Sequence, residues 1–400
     1  MCRYANYKYN GKYLNNLGDH IQILAIDNLY ANMGINKDKL VYINMEDLAT
    51  YNGARVKLPV AFPLLRYNEN GIAGMFSDKI EPVFIALTIA KWFLEKEEVT
   101  YLKRYEPIGC RDEHTYQLLC KYEIDAYLNG CLTITLPQRQ ITPNQNKIYC
   151  IDIPEKLKDK LPTKVRENAI FLSNIVDGPL DNATKFALHR YQEYQDNASL
   201  IITSLLHISS PCTAYGIPII LARDLISYRF SWLDKLLPIY SENDYDTIDW
   251  NPKLIDVEKI RKIVTELYVR RMEGNDFFAL KGQVSEYYLD RKKSEYFNEH
   301  FIKIRAYIDE KFLDKNESIE YSIWGITQVA EMIKKYMDEN YCNSKLANVY
   351  DKITGKSFKG VLAKNILEAK NDEVIFVTSA GAIKQANMLG KDKYNFVYAY

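Results

Sequence analysis

The fold class of this chain is decided by residues 200–221, which read LIITSLLHISSPCTAYGIPIIL. An apolar, β-branched run at Leu200–Thr203 is followed by a helical stretch at Ser209–Tyr215, which stops at Gly216 before a second apolar run at Pro218–Leu221. A strand, a short helix and a second strand in so few residues are typical of a parallel βαβ unit. The stretch therefore predicts a parallel sheet with helices on its faces.

The same alternation of short apolar runs and longer amphipathic stretches extends over most of the chain. Further strands are predicted at Leu40–Ile43, Val99–Arg104, Leu132–Leu136, Ile148–Ile151 and Ala169–Leu172. Helices are predicted between them, at His20–Tyr30, Asp112–Tyr122 and Ala183–Asn197. Strands that alternate with helices predict an α/β fold rather than separate helical and all-β blocks.

Breaks in this pattern predict three domains. Asp177–Asn182, with its Gly-Pro pair, is typical of a hinge, and Leu313–Ile319 is a polar connection. We predict an N-terminal lobe at 1–177, a second lobe with a helical extension at 178–315, and a small module at 316–400. The extension includes Lys292–Arg305, which has a strongly amphipathic helical pattern.

The last module has a βαβ pattern of its own. A strand at Tyr321–Trp324 ends at Gly325, a helix follows at Val329–Glu339, and a second strand at Leu346–Tyr350 ends at Asp351. This is the layout of a Rossmann-like dinucleotide-binding half, with the acid where a ribose would be bound. The two further glycines of the phosphate-binding fingerprint are absent. We therefore expect a structural or dimerising module rather than a nucleotide site.

Composition excludes several classes of protein. The chain has 400 residues, 47% of them hydrophobic, and equal numbers of basic and acidic residues. A nucleic-acid-binding protein would normally carry a basic excess, so we expect no nucleic-acid partner. The first 20 residues lack the apolar core of a secretory signal, and no apolar run is long enough to cross a membrane, which predicts a cytoplasmic protein. Seven cysteines without CxxC pairs predict reduced thiols and no metal site.

Candidate chemistry lies where predicted helices begin. Gly18 and Asp19 open the first long helix, Arg111 and Asp112 open another, and His207 follows the strand at 200–203. Helix starts and strand ends of α/β folds favour anionic ligands, and arginine grips carboxylate or phosphate with two hydrogen bonds. Each position also has a plain structural interpretation: an ordinary capped helix, an arginine–aspartate arrangement that fixes a loop, and a core histidine.

Four stretches in register resemble the polysaccharide pyruvyl transferase family. They are NLGDHIQ (16–22), PIGCRD (107–112), GCLTITL (130–136) and LHISSPCTAYGIPII (206–220), and the resemblance covers about residues 10–310. It implies two Rossmann-like lobes in the arrangement of GT-B glycosyltransferases, with the cleft between them. It also implies that the pyruvyl group of phosphoenolpyruvate is moved onto a sugar of a cell-surface polysaccharide or glycan precursor, with no metal or organic cofactor.

The resemblance gives roles to particular residues. His207 is the predicted proton donor or phosphate-binding cation, and Asp19 is the second predicted catalytic residue, which would orient a sugar hydroxyl or an arginine. The predicted substrate-binding residues are Gly18, Arg111, Asp112, Arg223, Arg229 and Ser209. One position departs from the family, which commonly has arginine where this chain has Leu205.

Two other functions remain open from the sequence. One is a GT-B-like glycosyltransferase that uses a nucleotide-sugar. The other is a non-catalytic glycan-pathway protein that has kept the fold, an interpretation that Leu205 favours. Fold alone cannot separate the three. The expected partners are phosphoenolpyruvate and a sugar acceptor, and self-association of the chain stays open.

Overall fold

The structure is a computed structural model that describes residues 3–9, 16–64, 72–175, 183–224, 226–289, 305–312, 318–389 and 395–398. The chain divides into two compact units. Unit 1 comprises Met1–Pro63, Ile72–Thr88 and Glu95–Ser294, and unit 2 comprises Leu64–Gly71, Ile89–Leu94 and Glu295–Tyr400. The predicted domain limits of 1–177, 178–315 and 316–400 stay predictions, because 176–182 and 313–317 lie outside the described residues. The predicted hinge at Asp177–Asn182 and most of the predicted helix at Lys292–Arg305 lie outside them too.

The first sheet of unit 1 is parallel. Its strands, in the spatial order β2-β1-β3-β5, are β1 (Arg3–Lys8), β2 (Val41–Asn44), β3 (Val56–Val60) and β5 (Ile80–Phe84). Two further pairs of short strands are β4 (Pro63–Leu64) with β6 (Thr88–Ile89), and β7 (Ile108–Cys110) with β8 (Ala126–Leu128). The helices of this region are α1 (Leu17–Asn32), α2 (Lys96–Lys103) and α3 (Glu113–Lys121).

The second sheet of unit 1 is also parallel and confirms the βαβ unit predicted from residues 200–221. Its strands, in the order β10-β9-β11-β12-β13, are β9 (Lys147–Ile151), β10 (Ala169–Leu172), β11 (Ala198–Thr203), β12 (Ile219–Ala222) and β13 (Ile239–Tyr240). The helices are α4 (Glu155–Lys160), α5 (Thr163–Asn168), α6 (Ala183–Asn197), α7 (Leu206–Ala214), α8 (Glu258–Glu273) and α9 (Phe278–Leu289). Apolar side chains of β9, β11 and β12 pack with those of α4 and α5 in one buried cluster.

Unit 2 contains the predicted βαβ module. Its strands, in the order β16-β17-β15-β14-β18-β19, are β14 (Ile319–Trp324), β15 (Ser344–Tyr350), β16 (Ser357–Phe358), β17 (Val361–Lys364), β18 (Val374–Val377) and β19 (Asn395–Tyr398). Residues 305–311 are helical, and α10 (Gln328–Asn340) and α11 (Ala380–Leu389) follow. The order places β14 at the centre with β15 and β18 on either side, all parallel, which is the doubly wound pattern of Rossmann-like folds.

Two predicted strands are wrong. Val99–Arg104 belongs to helix α2, where a capping box between Glu95 and Glu98 outweighs the β-branched residues of the stretch. The predicted strand Leu132–Leu136 is instead a 3₁₀ turn over Leu132–Thr135. The hydroxyl of Thr135 donates to the carbonyl of Leu132 at 2.7 Å. Side-chain hydrogen bonds to the local backbone of this kind compete with a sheet ladder.

Two details at predicted helix ends also differ. The GCLTITL stretch fits a helix that stops at Gly130, but Gly130 follows strand β8. Gly130 has φ +72°, and the Trp232 and Tyr288 side chains occupy the space of a Cβ. The predicted cap Asp19 lies within the first turn of α1, and Asn16 is the cap, accepting from the Gly18 N–H at 3.0 Å. Gly130 is suited to its position because glycine tolerates a positive φ, and Asn16 because its side chain can accept from a free backbone N–H.

Within the described parts of the chain, no helix combines the length and the apolar character that crossing a membrane requires.

Candidate anion-binding site

The predicted site residues of unit 1 follow the carboxyl ends of parallel strands. Arg111 and Asp112 come directly after β7, His207 follows β11 in the first turn of α7, and Arg229 lies on a 3₁₀ turn beyond β12. Parallel α/β sheets bind their ligands at this edge, because the loops and helix starts gather there.

His207 packs against the start of α1. A Cβ atom added at Gly18 would lie 2.6 Å from the His207 Cβ, closer than side chains tolerate. The Tyr191 hydroxyl of α6 donates to the His207 backbone carbonyl at 2.7 Å. Gly18 is therefore needed for the close approach of α1 and α7, the helix starts that follow the first and the second sheet.

The Arg111 side chain is fully buried and carries the most unusual feature of the site. Its exposed fraction is 0%, and none of its three guanidinium nitrogens has a hydrogen-bond partner among the described residues. A buried charge without a partner costs several kcal/mol of folding free energy. Groups of this kind are retained where a ligand completes their hydrogen bonding.

Asp112 does not pair with the arginine beside it. Its carboxylate accepts from the Thr88 hydroxyl at 2.7 Å and from the backbone N–H and hydroxyl of Thr115, each at 2.9 Å. Asp112 is thus the N-cap of α3, buried and occupied. The interpretation of Arg111 and Asp112 as one loop-fixing pair is wrong.

Arg229 brings a second guanidinium to the same place. Its Nη2 lies 3.4 Å from the His207 Nε2, and its Nε has no partner among the described residues. Burial, and then the charge of Arg111, lower its pKa, so the two guanidinium groups repel each other. Asp112 and Asp19 oppose this effect at longer range.

His207 is neutral in this environment. Burial lowers its pKa well below the ordinary value of 6.5, and the charges of Arg229 and Arg111 lower it further. An anion placed among the three groups would reverse the electrostatic part of this shift. Proton binding by His207 and ligand binding are therefore coupled.

Arg223 lies next to Arg229 but is engaged by the protein. Its Nη1 donates to the Ser204 carbonyl at 2.8 Å, and its guanidinium stacks over the Phe230 ring at 4.7 Å. Burial, followed by the charge of Arg229, lowers its pKa to about 10. Arg223 thus places a guanidinium beside the backbone that leads into Leu205.

The remaining predicted residues lie around this cluster. Asp19 is half-buried and accepts from the Asn16 amide at 3.4 Å, and its charge acts on Arg229. Ser209 is buried on α7, and its hydroxyl donates to the Leu205 carbonyl at 2.9 Å. The structure thus brings His207, Arg111 and Arg229 together, whereas the Ser209 hydroxyl is engaged by its own helix.

Tyr7 is a buried polar residue that the sequence did not single out and that carries a feature similar to that of Arg111. It lies near the carboxyl end of β1, is fully buried, and its hydroxyl has no partner among the described residues. Burial raises its pKa well above the ordinary value of 10, and the charge of Arg111 opposes that shift. Its position, one residue before the end of a strand, could have drawn attention to it, but strand β1 itself was not predicted.

A buried ion pair holds the two arginine-bearing segments together. Lys235 Nζ lies 2.9 Å from a carboxylate oxygen of Glu113, with 0% and 5% of the two side chains exposed. The Ser231 hydroxyl accepts from the Glu113 N–H at 2.9 Å. The segment that carries Arg229 is thereby fixed to the start of α3, directly after Arg111.

The strand ends of unit 2 are organised differently. The Asp351 carboxylate accepts from the backbone N–H groups of Ile326 at 2.9 Å and Ile353 at 3.0 Å. Gly325 has φ +103°, and Ser379 atoms lie 2.8 Å from the place where its Cβ would be. The acid that the sequence places at a ribose position is therefore engaged by its own loop.

Two other features were compared with this site. No group of three or more His, Cys, Asp or Glu side chains in the described ranges is placed to hold a metal ion. A surface cleft of about 650 Å³ in unit 1 contains none of the predicted site residues and is lined by Phe76, Ser77, Asp78, Lys96, Glu97, Thr100, Tyr101, Arg104 and Tyr105.

Comparison of the sequence with protein-family models and curated proteins, and with solved structures, gave no match, so function must be inferred from the residues of the chain itself.

Proposed function

We propose that unit 1 is a transferase that binds phosphoenolpyruvate at Arg111, Arg229 and His207 and moves its pyruvyl group onto a sugar of a glycan precursor. In this proposal the two parallel sheets of unit 1 are the lobes of a GT-B-like arrangement. The supporting placement is that Arg111 follows β7, in the β7-β8 pair beside the first sheet, whereas His207 follows β11 of the second sheet.

The observation that carries the proposal is the buried Arg111 guanidinium without a partner. Five N–H donors and a full positive charge call for a ligand with several acceptor oxygens and negative charge. Carboxylate and phosphate are the two biological groups that satisfy a guanidinium in this way. A neutral sugar would leave the charge uncompensated.

A second cation close by favours a ligand with two anionic groups. Arg229 repels Arg111 in the free protein, and its Nε also lacks a partner among the described residues. A ligand that carries both a carboxylate and a phosphate would relieve the repulsion and give each guanidinium its own acceptor. Phosphoenolpyruvate carries both groups on the same carbon.

The chemistry requires a proton and a nucleophile. A proton added to the methylene carbon leaves a positive centre at the neighbouring carbon, a sugar hydroxyl attacks that carbon, and inorganic phosphate leaves. A second hydroxyl of the sugar then attacks the same carbon and closes the ketal. Of the two protons that the hydroxyls release, one restores the acid that protonated the methylene carbon and the other goes to the departing phosphate. His207 supplies the first proton in this scheme, after the bound anion has raised its pKa from the depressed value of the free protein.

The second candidate function is a non-catalytic protein that binds the same anion. It is favoured by Leu205, which caps α7 at the place where a further arginine is expected from the family resemblance. Arg223 lies beside this position, with its guanidinium on the carbonyl of Ser204. A binding protein of this kind would bind phosphoenolpyruvate and release no phosphate.

The test is acceptor-dependent release of phosphate from phosphoenolpyruvate, measured over a panel of nucleotide-linked and lipid-linked sugars. Calorimetric binding of phosphoenolpyruvate alone is measured in parallel, with wild type, His207→Ala and Arg111→Met. We expect phosphoenolpyruvate to bind, Arg111→Met to weaken that binding by roughly thirtyfold or more, and His207→Ala to abolish phosphate release. Exposed Arg104→Met is the matched control and should change neither.

Each other outcome decides between the candidates. Binding without release under every acceptor would favour the non-catalytic protein. Binding of a nucleotide-sugar but not of phosphoenolpyruvate would contradict the proposal and favour a glycosyltransferase.

A further inference from the structure

A chain of buried polar side chains leads from the interior of unit 1 to His207. Ser210 and Thr133 share a short hydrogen bond between their hydroxyls, and the Thr133 hydroxyl lies 3.2 Å from the Cys131 sulfur. The sulfur lies 3.8 Å from Gln22 Oε1, and Gln22 Nε2 lies 3.3 Å from the Nδ1 of His207. The four side chains before His207 are at most 1% exposed.

The contacts assign a donor and an acceptor at each step. Ser210 donates to Thr133, and Thr133 donates to the sulfur of Cys131. The same sulfur accepts an N–H of Gln22 Nε2 at 3.3 Å, and the thiol proton is directed at Gln22 Oε1 at 3.8 Å. The Gln22 amide nitrogen, which can only donate, then faces His207 Nδ1. Because Nδ1 receives a hydrogen bond, it carries no proton, and the proton of the neutral ring lies on Nε2.

Nε2 faces the proposed anion site. Its neighbour is Arg229 Nη2, at 3.4 Å, which also can only donate. Two donors that face each other without an acceptor are unfavourable in the free protein. An oxygen of a bound anion would accept from both, and the nearby Arg111 guanidinium would supply further donors to the same anion.

We propose that Gln22 is a positioning residue that holds neutral His207 as its Nε2–H tautomer, so that the ring donates a hydrogen bond to the bound anion. The inference rests on the proposed function for the identity of the site, but it names a state of His207 that exists before any ligand binds. The sulfur of Cys131 acts one step further away, because it accepts one N–H of Gln22 Nε2 at 3.3 Å and leaves the other N–H for His207 Nδ1.

The tautomer also has a consequence for the ligand. A neutral N–H adds a donor between two cations without adding a third charge, which limits the repulsion in the free protein. It also places the proton on the nitrogen that faces the ligand, where the imidazolium formed on anion binding would deliver it. A ring with its proton on Nδ1 would present a lone pair to the anion and weaken binding.

The experiment is long-range proton–nitrogen correlation spectroscopy on the full chain labelled with ¹⁵N at histidine. The chain has five histidines, and the His207 signal is assigned by its loss in His207→Gln. In the Nε2–H tautomer the protonated nitrogen couples to both ring hydrogens, Hδ2 and Hε1. We expect that pattern in the free wild type, and a protonated Nδ1 instead would overturn the inference.

Variants of Gln22 test the cause. In Gln22→Glu the carboxylate can only accept, so we expect the His207 proton to move to Nδ1 and phosphoenolpyruvate to bind about tenfold more weakly. Gln22→Met removes both amide groups and should leave a mixture of the two tautomers. Exposed Gln140→Glu makes the same chemical change elsewhere and should leave the wild-type pattern intact.

The two proposals fail separately. If the Nε2–H pattern is found but phosphoenolpyruvate does not bind, the proposed function is contradicted and the role of Gln22 stands. If phosphoenolpyruvate binds but Gln22→Glu and Gln22→Met both keep the Nε2–H pattern, the role of Gln22 is contradicted.

Discussion

The strand ends of unit 1 and those of unit 2 have the same kind of architecture and opposite polar chemistry. In unit 1, the buried Arg111 guanidinium has no partner among the described residues, and Arg229 Nη2 faces a histidine nitrogen. In unit 2, the acid at the end of β15, Asp351, accepts two backbone hydrogen bonds from its own neighbourhood. Parallel βαβ topology therefore positions polar groups at one edge of a sheet. It does not decide whether those groups are hydrogen-bonded within the protein or left for a ligand to bind.

The difference gives a criterion by which an edge that binds a ligand can be separated from an edge that is only structural. Polar groups that are hydrogen-bonded within the protein contribute to its stability and offer a ligand few free donors or acceptors. Groups that stay open reduce stability and are retained when binding completes them. Four predictions test this contrast, from the largest expected effect to the smallest.

The largest effect is expected for Arg111→Met. It removes the charge that the ligand would complete, so binding of phosphoenolpyruvate should weaken by about 2–5 kcal/mol, a loss of roughly thirtyfold or more. The same change should raise the free energy of unfolding of the ligand-free protein by about 1–4 kcal/mol, because a buried unpaired charge is replaced by an apolar side chain. Calorimetry and thermal unfolding measure the two effects. A variant that is less stable and binds as well as wild type would show that Arg111 is a structural residue.

The next effect is expected for Gly18→Ala. The added methyl group would meet the His207 Cβ at 2.6 Å, so His207 must move away from α1. Overpacking of this kind costs about 1–3 kcal/mol, and we expect phosphoenolpyruvate affinity to fall by about tenfold. Gly282→Ala on α9, where nothing lies within 4 Å of the added carbon, is the matched control. Wild-type affinity in Gly18→Ala would mean that the position of His207 does not matter for binding.

The third prediction concerns pH. His207 has a pKa in the folded protein below its ordinary value of 6.5, so below pH 6.5 the unfolded chain binds a proton that the folded chain does not. The free energy of unfolding should therefore fall as the pH falls through this window, by up to about 1.4 kcal/mol per pH unit from this group. His207→Gln should show a flatter dependence than His189→Gln, an exposed control. Equal slopes in denaturant unfolding would contradict the depressed pKa.

The smallest effect is expected in unit 2. Asp351→Ala removes two acceptors from the loop and should cost about 1–2 kcal/mol of stability. Phosphoenolpyruvate affinity should change by less than about twofold, because the acid takes part in a local structure. The contrary outcome is tested by titrating a nicotinamide cofactor with wild type and with the variant and measuring the cofactor's fluorescence. A quench that depends on Asp351 would show that unit 2 also binds a ligand.

Much of the fold could be predicted from local patterns. The strands at Ile148–Ile151 and Ala169–Leu172 and the helix at Ala183–Asn197 are present as predicted, because apolar runs and helical periodicity report burial directly. Val99–Arg104 failed because a cap several residues upstream set the conformation of a β-branched run.

The site could be predicted only in part. Arg111 and His207 became candidates through their residue types and their positions after strands, and Arg229 through the family resemblance. The structure places Arg229 next to His207. Arg111 lacks a carboxylate partner because Asp112 is hydrogen-bonded to Thr88 and Thr115. The spacing of residues in the sequence does not show these hydrogen bonds. The contact between Gln22 and His207 joins residues 185 positions apart and follows from tertiary packing alone.

The buried pair of Lys235 and Glu113 has a consequence for kinetics. It ties the segment of Arg229 to the helix that begins beside Arg111, so the spacing of the two guanidinium groups is set before the ligand arrives. A preorganised site needs no conformational change between the first contact with the ligand and the final complex. In stopped-flow mixing, the observed rate should then rise in proportion to ligand concentration without reaching a plateau, and cutting the pair with Lys235→Met should introduce one.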